Sequence, residues 1–279
     1  MTTNPVYSRE MKVSSRSIRL PLILAAFNLI LAIFALASMA ATINQARSDA
    51  QINYAAFLSI FKYVATIEFA LVLFIMPSLT AGSISGERER GTLDLMLTTR
   101  LTPGRIVIGK LLSGMSNVIV VLVSSLPVLS LVFVYGGVTA GDLAILMVSF
   151  IMAAFLTASV GLFMSSFCRK SSLSTALSYT GVLLLTGGTL GINLLVYNFT
   201  GSAGPWFYLL LTNPAVTFYS AVNSMTGNTN ALADLAGSMG TAVRLSSGMW
   251  FATGMILQLV IGIILAVLSV RNLYPKKKA

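Results

Sequence analysis

The sequence predicts an all-α polytopic membrane protein, and two observations support that prediction. Only 9% of the 279 residues are charged, whereas soluble domains carry about 25%. Apolar runs repeatedly reach the roughly 20 residues that a helix needs to cross a bilayer, and they lack the alternation typical of β-barrel strands. We expect a single transmembrane domain over residues 1–279. Six spans are predicted, at about 20–43, 57–82, 106–134, 143–167, 173–198 and 250–270.

Basic residues are distributed unevenly about the predicted spans. Of the 18 Lys and Arg residues, 14 precede the first span, follow the sixth, or lie in the loops after the second and fourth, and Lys110 lies at the start of the third span on the same side. Because such loops stay in the cytoplasm, we expect both termini to be cytoplasmic, in a plasma or inner membrane. Topology and contact with anionic lipid headgroups then explain the net charge of +10, and no nucleic-acid partner is expected.

Residues 1–19 precede the first span and are too polar to cross a membrane. Asn4 followed by Pro5 is typical of a helix start, with Asn as the cap and Pro at the first helical position. Four residues provide a weak apolar face: Val6, Met11, Val13 and Ile18. An interfacial connecting helix is therefore predicted, and a disordered basic tail is the alternative.

The densest cluster of charge lies between the second and third spans, in residues 86–104, which we call the charged loop. Thr92 is predicted to cap a short helix over 92–100. Asp94 in its first turn and Arg100 in its last turn both suit the helix dipole. Four residues at i, i+3, i+4 and i+7 share one face of this helix: Leu93, Met96, Leu97 and Arg100.

The charged loop has two physical interpretations. A short rigid helix with an apolar face and flanking Glu87 and Glu89 is suited to contact with a cytoplasmic partner. An ordinary solvated loop that follows the distribution of positive charge is the alternative. The residues by themselves leave both interpretations open.

Residues 86–112, GERERGTLDLMLTTRLTPGRIVIGKLL, resemble the signature loop of ABC-2 type transporter permeases. That family has an acidic turn, Gly-Thr-Leu, a short helix, a Pro and a Gly-Lys leading into the third span. The resemblance implies six spans, an N-terminal connecting helix, a short coupling helix and cytoplasmic termini. It also implies a non-catalytic subunit that forms a translocation pathway, with export as the expected direction.

The resemblance further implies partners. A separate ATP-binding subunit, in two copies, would hold ATP and Mg²⁺ and dock on the charged loop. A second permease subunit, identical or related, would complete the pathway. No cofactor, metal or catalytic residue is expected in this chain. The expected contacts of the ATP-binding subunit are Glu87, Arg88, Glu89, Arg90, Thr92, Leu93, Asp94, Met96, Leu97 and Arg100.

Residues 104–111 approximate a phosphate-binding P-loop without forming one. The position after Gly109 and Lys110 is Leu111, so the hydroxyl that would bind Mg²⁺ is missing. No buried strand precedes the segment, and it continues directly into an apolar span. We therefore expect no ATP-binding domain in this chain.

Glu68 lies near the middle of the second span. A carboxylate there costs about 2.5–3.5 kcal/mol on insertion scales and should face protein or water. Lys62 is a poor partner on the same helix and is expected to reach toward the outer interface. Glu68 could line a transport pathway or make a structural polar contact. A secondary transporter or channel with an ion-coupled site at Glu68 is the alternative function.

The fifth span is rich in small residues, with Gly187 and Gly191 four residues apart and Gly188 between them. Such spacing permits close helix approach, but three glycines within five residues also weaken a helix. We expect a moving or dimer-lining span. Asn193 is a further polar position in this candidate pathway.

Residues 199–249 form a long outer connection. Its first half is too apolar for a free loop, so short re-entrant or interfacial helices are predicted. Two extra spans at 205–223 and 231–249 are the alternative, although Asp234 and Arg244 in the second stretch disfavour it. A membrane scaffold or sensor that binds another cytoplasmic protein is a third possible function. The single Cys168 excludes an internal disulfide, and the absence of His excludes histidine-ligated metal sites.

Overall fold

A computed structural model of the chain describes residues 4–49, 54–98, 101–135, 139–242 and 245–274. The elements in these ranges are helical. They are α1 (Pro5–Arg16), α2 (Arg19–Asp49), α3 (Tyr54–Thr80), α4 (Ser85–Glu89), α5 (Thr92–Thr98), α6 (Pro103–Tyr135), α7 (Ala140–Phe167), α8 (Ser171–Leu183), a π-helical turn (Leu184–Gly188), α9 (Thr189–Thr200), a 3₁₀ helix (Gly204–Thr212), α10 (Pro214–Met225), α11 (Ala231–Ser238) and α12 (Ser247–Leu273).

The described residues contain six helical segments that are long and apolar enough to cross a membrane. This confirms the predicted polytopic all-α fold with six spans. The segments are Leu20–Ala41, Ile60–Glu89, Pro103–Leu129, Ala140–Phe167, Ser171–Thr200 and Ser247–Leu273. Each overlaps one of the six predicted spans.

The second segment is interrupted, which the sequence did not predict. Helix α3 ends at Thr80, within the predicted span at about 57–82, and a turn separates it from α4. The backbone N–H groups of Ile84 and Ser85 each donate to Oγ of Ser165 on α7, at 2.9 Å. At the break, these two N–H groups therefore bond to α7 and not to carbonyl oxygens of their own helix.

The N-terminal segment is a helix, as its first residues predict. The Asn4 side chain accepts a hydrogen bond from the N–H of Val6, and Pro5 is the first helical residue. Asn4 Nδ2 also donates to the carbonyl oxygen of Arg105, at 2.8 Å. Val6 is buried against α6 at Gly109, where a Cβ would lie 2.9 Å from Cβ of Val6. α1 is therefore docked on the start of α6.

The predicted apolar face of α1 is only partly used within the chain. Val6 is buried, whereas Val13 and Ile18 are largely exposed. Exposed apolar side chains on a basic helix are typical of helices that lie at a membrane surface. This distribution is consistent with the predicted interfacial position.

Helix α7 lies at the centre of the helix bundle and packs against α3, α6, α8 and α12. Its buried face contains Ala153, Ala154, Ala158 and Gly161. Small residues of this kind let neighbouring helices approach closely. Aromatic rings fill the wider part of the core, where the centroids of Phe69 and Phe218 are 4.3 Å apart.

The segment that follows α9 folds into short helices at the far end of the bundle, opposite α1. The longest of them, α10, has 12 residues, or about 18 Å at 1.5 Å per residue, against a hydrocarbon core of about 30 Å. The alternative of two extra spans is therefore wrong for the described residues. These helices pack on α12, with the ring centroids of Phe207 and Trp250 5.4 Å apart.

Candidate functional site

The charged loop is joined to two other elements by a buried lysine on α6. Nζ of Lys110 lies 2.9 Å from Oε1 of Glu87 on α4 and 3.2 Å from Oε1 of Glu10 on α1. The side chain of Lys110 is only 3% exposed, and a buried ammonium needs such partners because its desolvation costs several kcal/mol. One lysine thus connects α1, the charged loop and the third span.

The next two residues of the charged loop bind the corner between α7 and α8. Arg88 Nη1 donates to the carbonyl oxygen of Cys168, at 2.9 Å. Oε2 of Glu89 accepts from the N–H and the hydroxyl of Ser171, at 3.2 and 2.7 Å. Ser171 is the first residue of α8, so the Glu89 carboxylate satisfies a free N–H and complements the positive end of the helix dipole.

The turn before α4 is also hydrogen-bonded to neighbouring helices. Besides its bonds from Ile84 and Ser85, the Ser165 hydroxyl donates to Oγ of Ser85, at 3.2 Å. Ser174 Oγ on α8 donates to the carbonyl oxygen of Ala81, at 2.6 Å. The charged loop therefore begins from a turn that is bonded to both α7 and α8.

The apolar face of α5 points into the protein, not outward to a partner. Leu93 is 3% exposed and belongs to the main hydrophobic core, and Met96 packs against it. On the opposite face Leu95 is 67% exposed. Leu93 is therefore a core residue, and Met96 is half-buried, so their contact with a partner remains a prediction.

The helix in the charged loop also begins differently from the prediction. Thr92 is the first residue of α5 and does not precede it as a cap, and its hydroxyl donates to the carbonyl oxygen of Glu87, at 3.1 Å. Gly91 connects α4 to α5 with φ of 71°, a conformation that favours glycine. Three candidate residues are not fully described: the side chains of Asp94 and Leu97, and the whole of Arg100, lie outside the described set.

The outward surface of the charged loop, which we call the loop surface, consists of exposed residues on α4, the Gly91 turn and α5. It contains one acid, one base and one large apolar side chain. Its members are Glu89, Arg90, Gly91, Thr92, Leu95 and Thr98. The sequence prediction missed Leu95, although Thr92, Leu95 and Thr98 recur every three residues and so mark one side of α5.

Glu68 is fully buried between α3 and α6. Its Oε1 accepts a hydrogen bond from the Ser125 hydroxyl, and its Oε2 is buried without a partner among the described residues. Lys62 donates instead to Oδ1 of Asn223 on α10, at 2.9 Å. The structure therefore shows the structural polar contact, and a pathway role for Glu68 remains a prediction.

The glycines of the fifth span lie at a local change of helix type. Gly187 and Gly188 end the π-helical turn between α8 and α9. A Cβ built on Gly187 or Gly191 meets nothing within 4 Å, so close approach to another described helix is not their role within this chain. Asn193 is fully buried, donates to the carbonyl oxygen of Thr189, and has an unpartnered Oδ1 among the described residues.

A residue that the sequence prediction passed over holds this π-helical turn. Asn213 Nδ2 donates to the carbonyl oxygen of Thr186, at 2.7 Å, and to Oγ1 of Thr189, at 2.8 Å. Asn213 Oδ1 accepts from the N–H of Ala215 and so caps α10. Asn213-Pro214 was recognisable as a helix start, but its contact with the fifth span was not.

The sequence profile described as ABC-2 family transporter protein matches residues 5–271. The chain belongs to this family. It is accordingly a permease component of an ABC transporter and a multi-pass membrane protein, as the resemblance of the charged loop implied. No curated protein matches the chain.

Within this ABC-2 permease, the candidate residues separate into two places. Glu87, Arg88 and Glu89 lie together at one end of the bundle, whereas Glu68 precedes the end of α3 by twelve residues, roughly 18 Å. Lys110 joins the first group, although the sequence prediction did not select it. Its position directly after Gly109 in the family-like motif was the available signal.

Among the described residues, no cluster of three or more acidic, cysteine or histidine side chains could hold a metal ion. The ABC-2 family consists of membrane components of transporters that work with an ABC ATP-binding subunit. The charged loop is therefore the first place to look for a surface that contacts this subunit.

Proposed function

We propose that this ABC-2 permease subunit exports a substrate, driven by ATP hydrolysis in a separate ATP-binding subunit that docks on the loop surface. The observation that supports this is the two-sided character of the charged loop. Its inner side is bonded to α6, to the residue after α7 and to α8, and Lys110 of α6 also pairs with Glu10 of α1. Leu95 and its neighbours are exposed. A segment held rigidly on one side and open on the other is suited to transmit a movement.

Four contacts would carry displacement of the loop surface into the membrane helices. Lys110 would transmit it to α6 and α1, and Arg88 to the end of α7. Glu89 would transmit it to the start of α8, and buried Leu93 to the main core. Packed interiors move as rigid units because they do not deform continuously. A push on α5 would therefore shift several spans together.

The assembly would contain two ATP-binding subunits and a second permease, identical or related. ATP and Mg²⁺ would be bound by the ATP-binding subunits, and this chain would supply no catalytic residue. The fifth and sixth spans leave most of their surface free within the chain, since only 17% of each apolar window is buried. Such surface is suited to lipid and to a second permease.

The loop surface would face the cytoplasm of a plasma or inner membrane. The support is the distribution of basic residues, because Arg88, Arg90 and Arg105 lie at the same end of the bundle as α1 and the Arg169–Lys170 corner. Regions rich in Lys and Arg remain on the cytoplasmic side.

Co-purification tests this proposal. The permease is expressed with the ATP-binding protein encoded beside it, purified in detergent and assayed for ATP hydrolysis. Leu95→Glu places a charge on the loop surface without touching the core, and we expect it to abolish the complex. Ser15→Glu is the matched control, because it adds the same charge at an exposed position of α1 at the same end of the bundle.

The wild type and Ser15→Glu should both retain the ATP-binding subunit, and Leu95→Glu should elute alone as a folded permease. A Leu95→Glu variant with undiminished binding and ATPase activity would refute docking on the loop surface. Transport by the purified permease in proteoliposomes without any ATPase would refute the ATP-driven function itself.

A further inference from the structure

A cavity of about 220 Å³ lies beside α1, between α1, α2, α3 and α6. Its walls differ in character. One wall is polar and is formed by α6 through Lys110, Ser113 and Asn117, whereas Leu20, Ile23 and Leu79 contribute an apolar wall. Because α1 has the features of an interfacial helix and α2 begins at this level, the cavity is at the height where lipid headgroups meet acyl chains.

The polar wall presents unused hydrogen-bond donors. Lys110 has three N–H donors, and its ion pairs with Glu10 and Glu87 occupy two of them. Asn117 Oδ1 accepts from Ser14, at 3.1 Å, which orients the amide nitrogen as the free donor. Within the described ranges, neither Ser113 nor the Asn117 amide nitrogen donates to protein, and both residues are buried.

Such a set of donors is suited to the oxygens of a phosphate group. Glu10, which also lines the cavity, and Glu87 offset the charge of Lys110. Arg9 and Arg16 are exposed on α1, about one turn on either side of Val13, which lines the cavity. These two basic residues of α1 would attract an anionic headgroup from the membrane surface. A soluble phosphate would use the polar wall alone and leave the apolar wall in contact with water.

We propose that this cavity binds the phosphate group of an anionic membrane phospholipid, such as phosphatidylglycerol, from the leaflet on the side of α1. Lys110, Ser113 and Asn117 donate to the phosphate oxygens. The first acyl carbons contact Leu20, Ile23 and Leu79. The lipid fills the space between α1 and the spans and so stabilises the docking of α1. The site contains no residue of the loop surface, and it shares with the proposed transmission only Lys110, which also pairs with Glu87.

Native mass spectrometry of the full chain in detergent tests the site. The delipidated protein is titrated with phosphatidylglycerol and, separately, with phosphatidylcholine. We expect preferential binding of phosphatidylglycerol. The double variant Ser113→Ala with Asn117→Ala should lower its affinity at least tenfold, because one hydrogen bond to a charged group corresponds to about tenfold. Ser116→Ala is the control, since its hydroxyl contacts Tyr7 of α1 and does not line the cavity.

Each outcome decides the proposal. Unchanged binding of phosphatidylglycerol by the double variant, or equal binding of both lipids, overturns it. Competition by glycerol 3-phosphate or inorganic phosphate as strong as that by lipid assigns the cavity to a soluble phosphate instead. If the double variant does not fold, Asn117→Asp replaces it: the added carboxylate is nearly isosteric and should repel the lipid phosphate, and retained affinity in that variant also overturns the proposal.

Discussion

Replacing Lys110 by methionine should destabilise the permease more than any change of an exposed basic residue. Methionine keeps much of the side-chain volume but removes the ammonium, so Glu87 and Glu10 lose their shared partner. Removal of one partner from a buried ion pair typically costs about 3–5 kcal/mol. Because Glu10 is 33% exposed and can turn toward water, we expect about 3 kcal/mol.

The geometry gives an independent magnitude. Nζ of Lys110 lies 2.9 Å from one carboxylate oxygen and 3.2 Å from the other. The two oxygens are therefore no more than about 6 Å apart, and without the ammonium their repulsion is about 3 kcal/mol at an effective dielectric constant of about 20. Adding Glu87→Gln to Lys110→Met removes this repulsion and should restore most of the lost stability.

Thermal unfolding in detergent, followed by intrinsic fluorescence, measures these effects. One kcal/mol corresponds to about 2–4 °C for chains near this size, so Lys110→Met should unfold roughly 6–12 °C below wild type. Lys12→Met is the control, because Lys12 is exposed and forms no ion pair in the described part of the chain. A Lys110→Met variant that unfolds at the same temperature as Lys12→Met would refute the reasoning. So would a double variant that unfolds at no higher temperature than Lys110→Met.

Three further variants test other parts of the structure. Gly109→Ala should displace α1, because the added Cβ would lie 2.9 Å from that of Val6. Gly104→Ala is the control, since its Cβ would meet nothing within 4 Å. Limited proteolysis near α1 compares the two variants, and equal cleavage of both would contradict the packing of α1 on Gly109. Asn213→Ala should cost about 1–3 kcal/mol and increase hydrogen exchange in the π-helical turn, and unchanged exchange argues against its role there. Glu68→Gln should retain ATP-driven transport, and complete loss would assign Glu68 a functional role, in the pathway or as the ion-coupled site.

The class of fold was predictable because it depends on composition along the chain. Six apolar runs of spanning length must form helices, since no other open structure satisfies its backbone hydrogen bonds in lipid. The start of α1 was predictable for a similarly local reason, because Asn4 and Pro5 act on the next few residues. The family-like motif likewise indicated a short helix after Gly91.

The direction of the helix faces in the charged loop was not predictable. An apolar stripe such as Leu93 and Met96 looks the same whether it contacts a partner or the protein's own core, and only the position of α5 against the bundle distinguishes the two. The break after Thr80 likewise depends on Ser165, which is some eighty residues away in sequence.

The sequence by itself therefore determined the membrane class, the number of spans and the location of the charged loop. Only the tertiary structure decided which groups meet: Lys110 with Glu10 and Glu87, Glu68 with Ser125, and Asn213 with the π-helical turn. The physical reason is that hydropathy and capping act within a few residues. The pairing of buried polar groups depends instead on how distant helices approach one another in the folded chain.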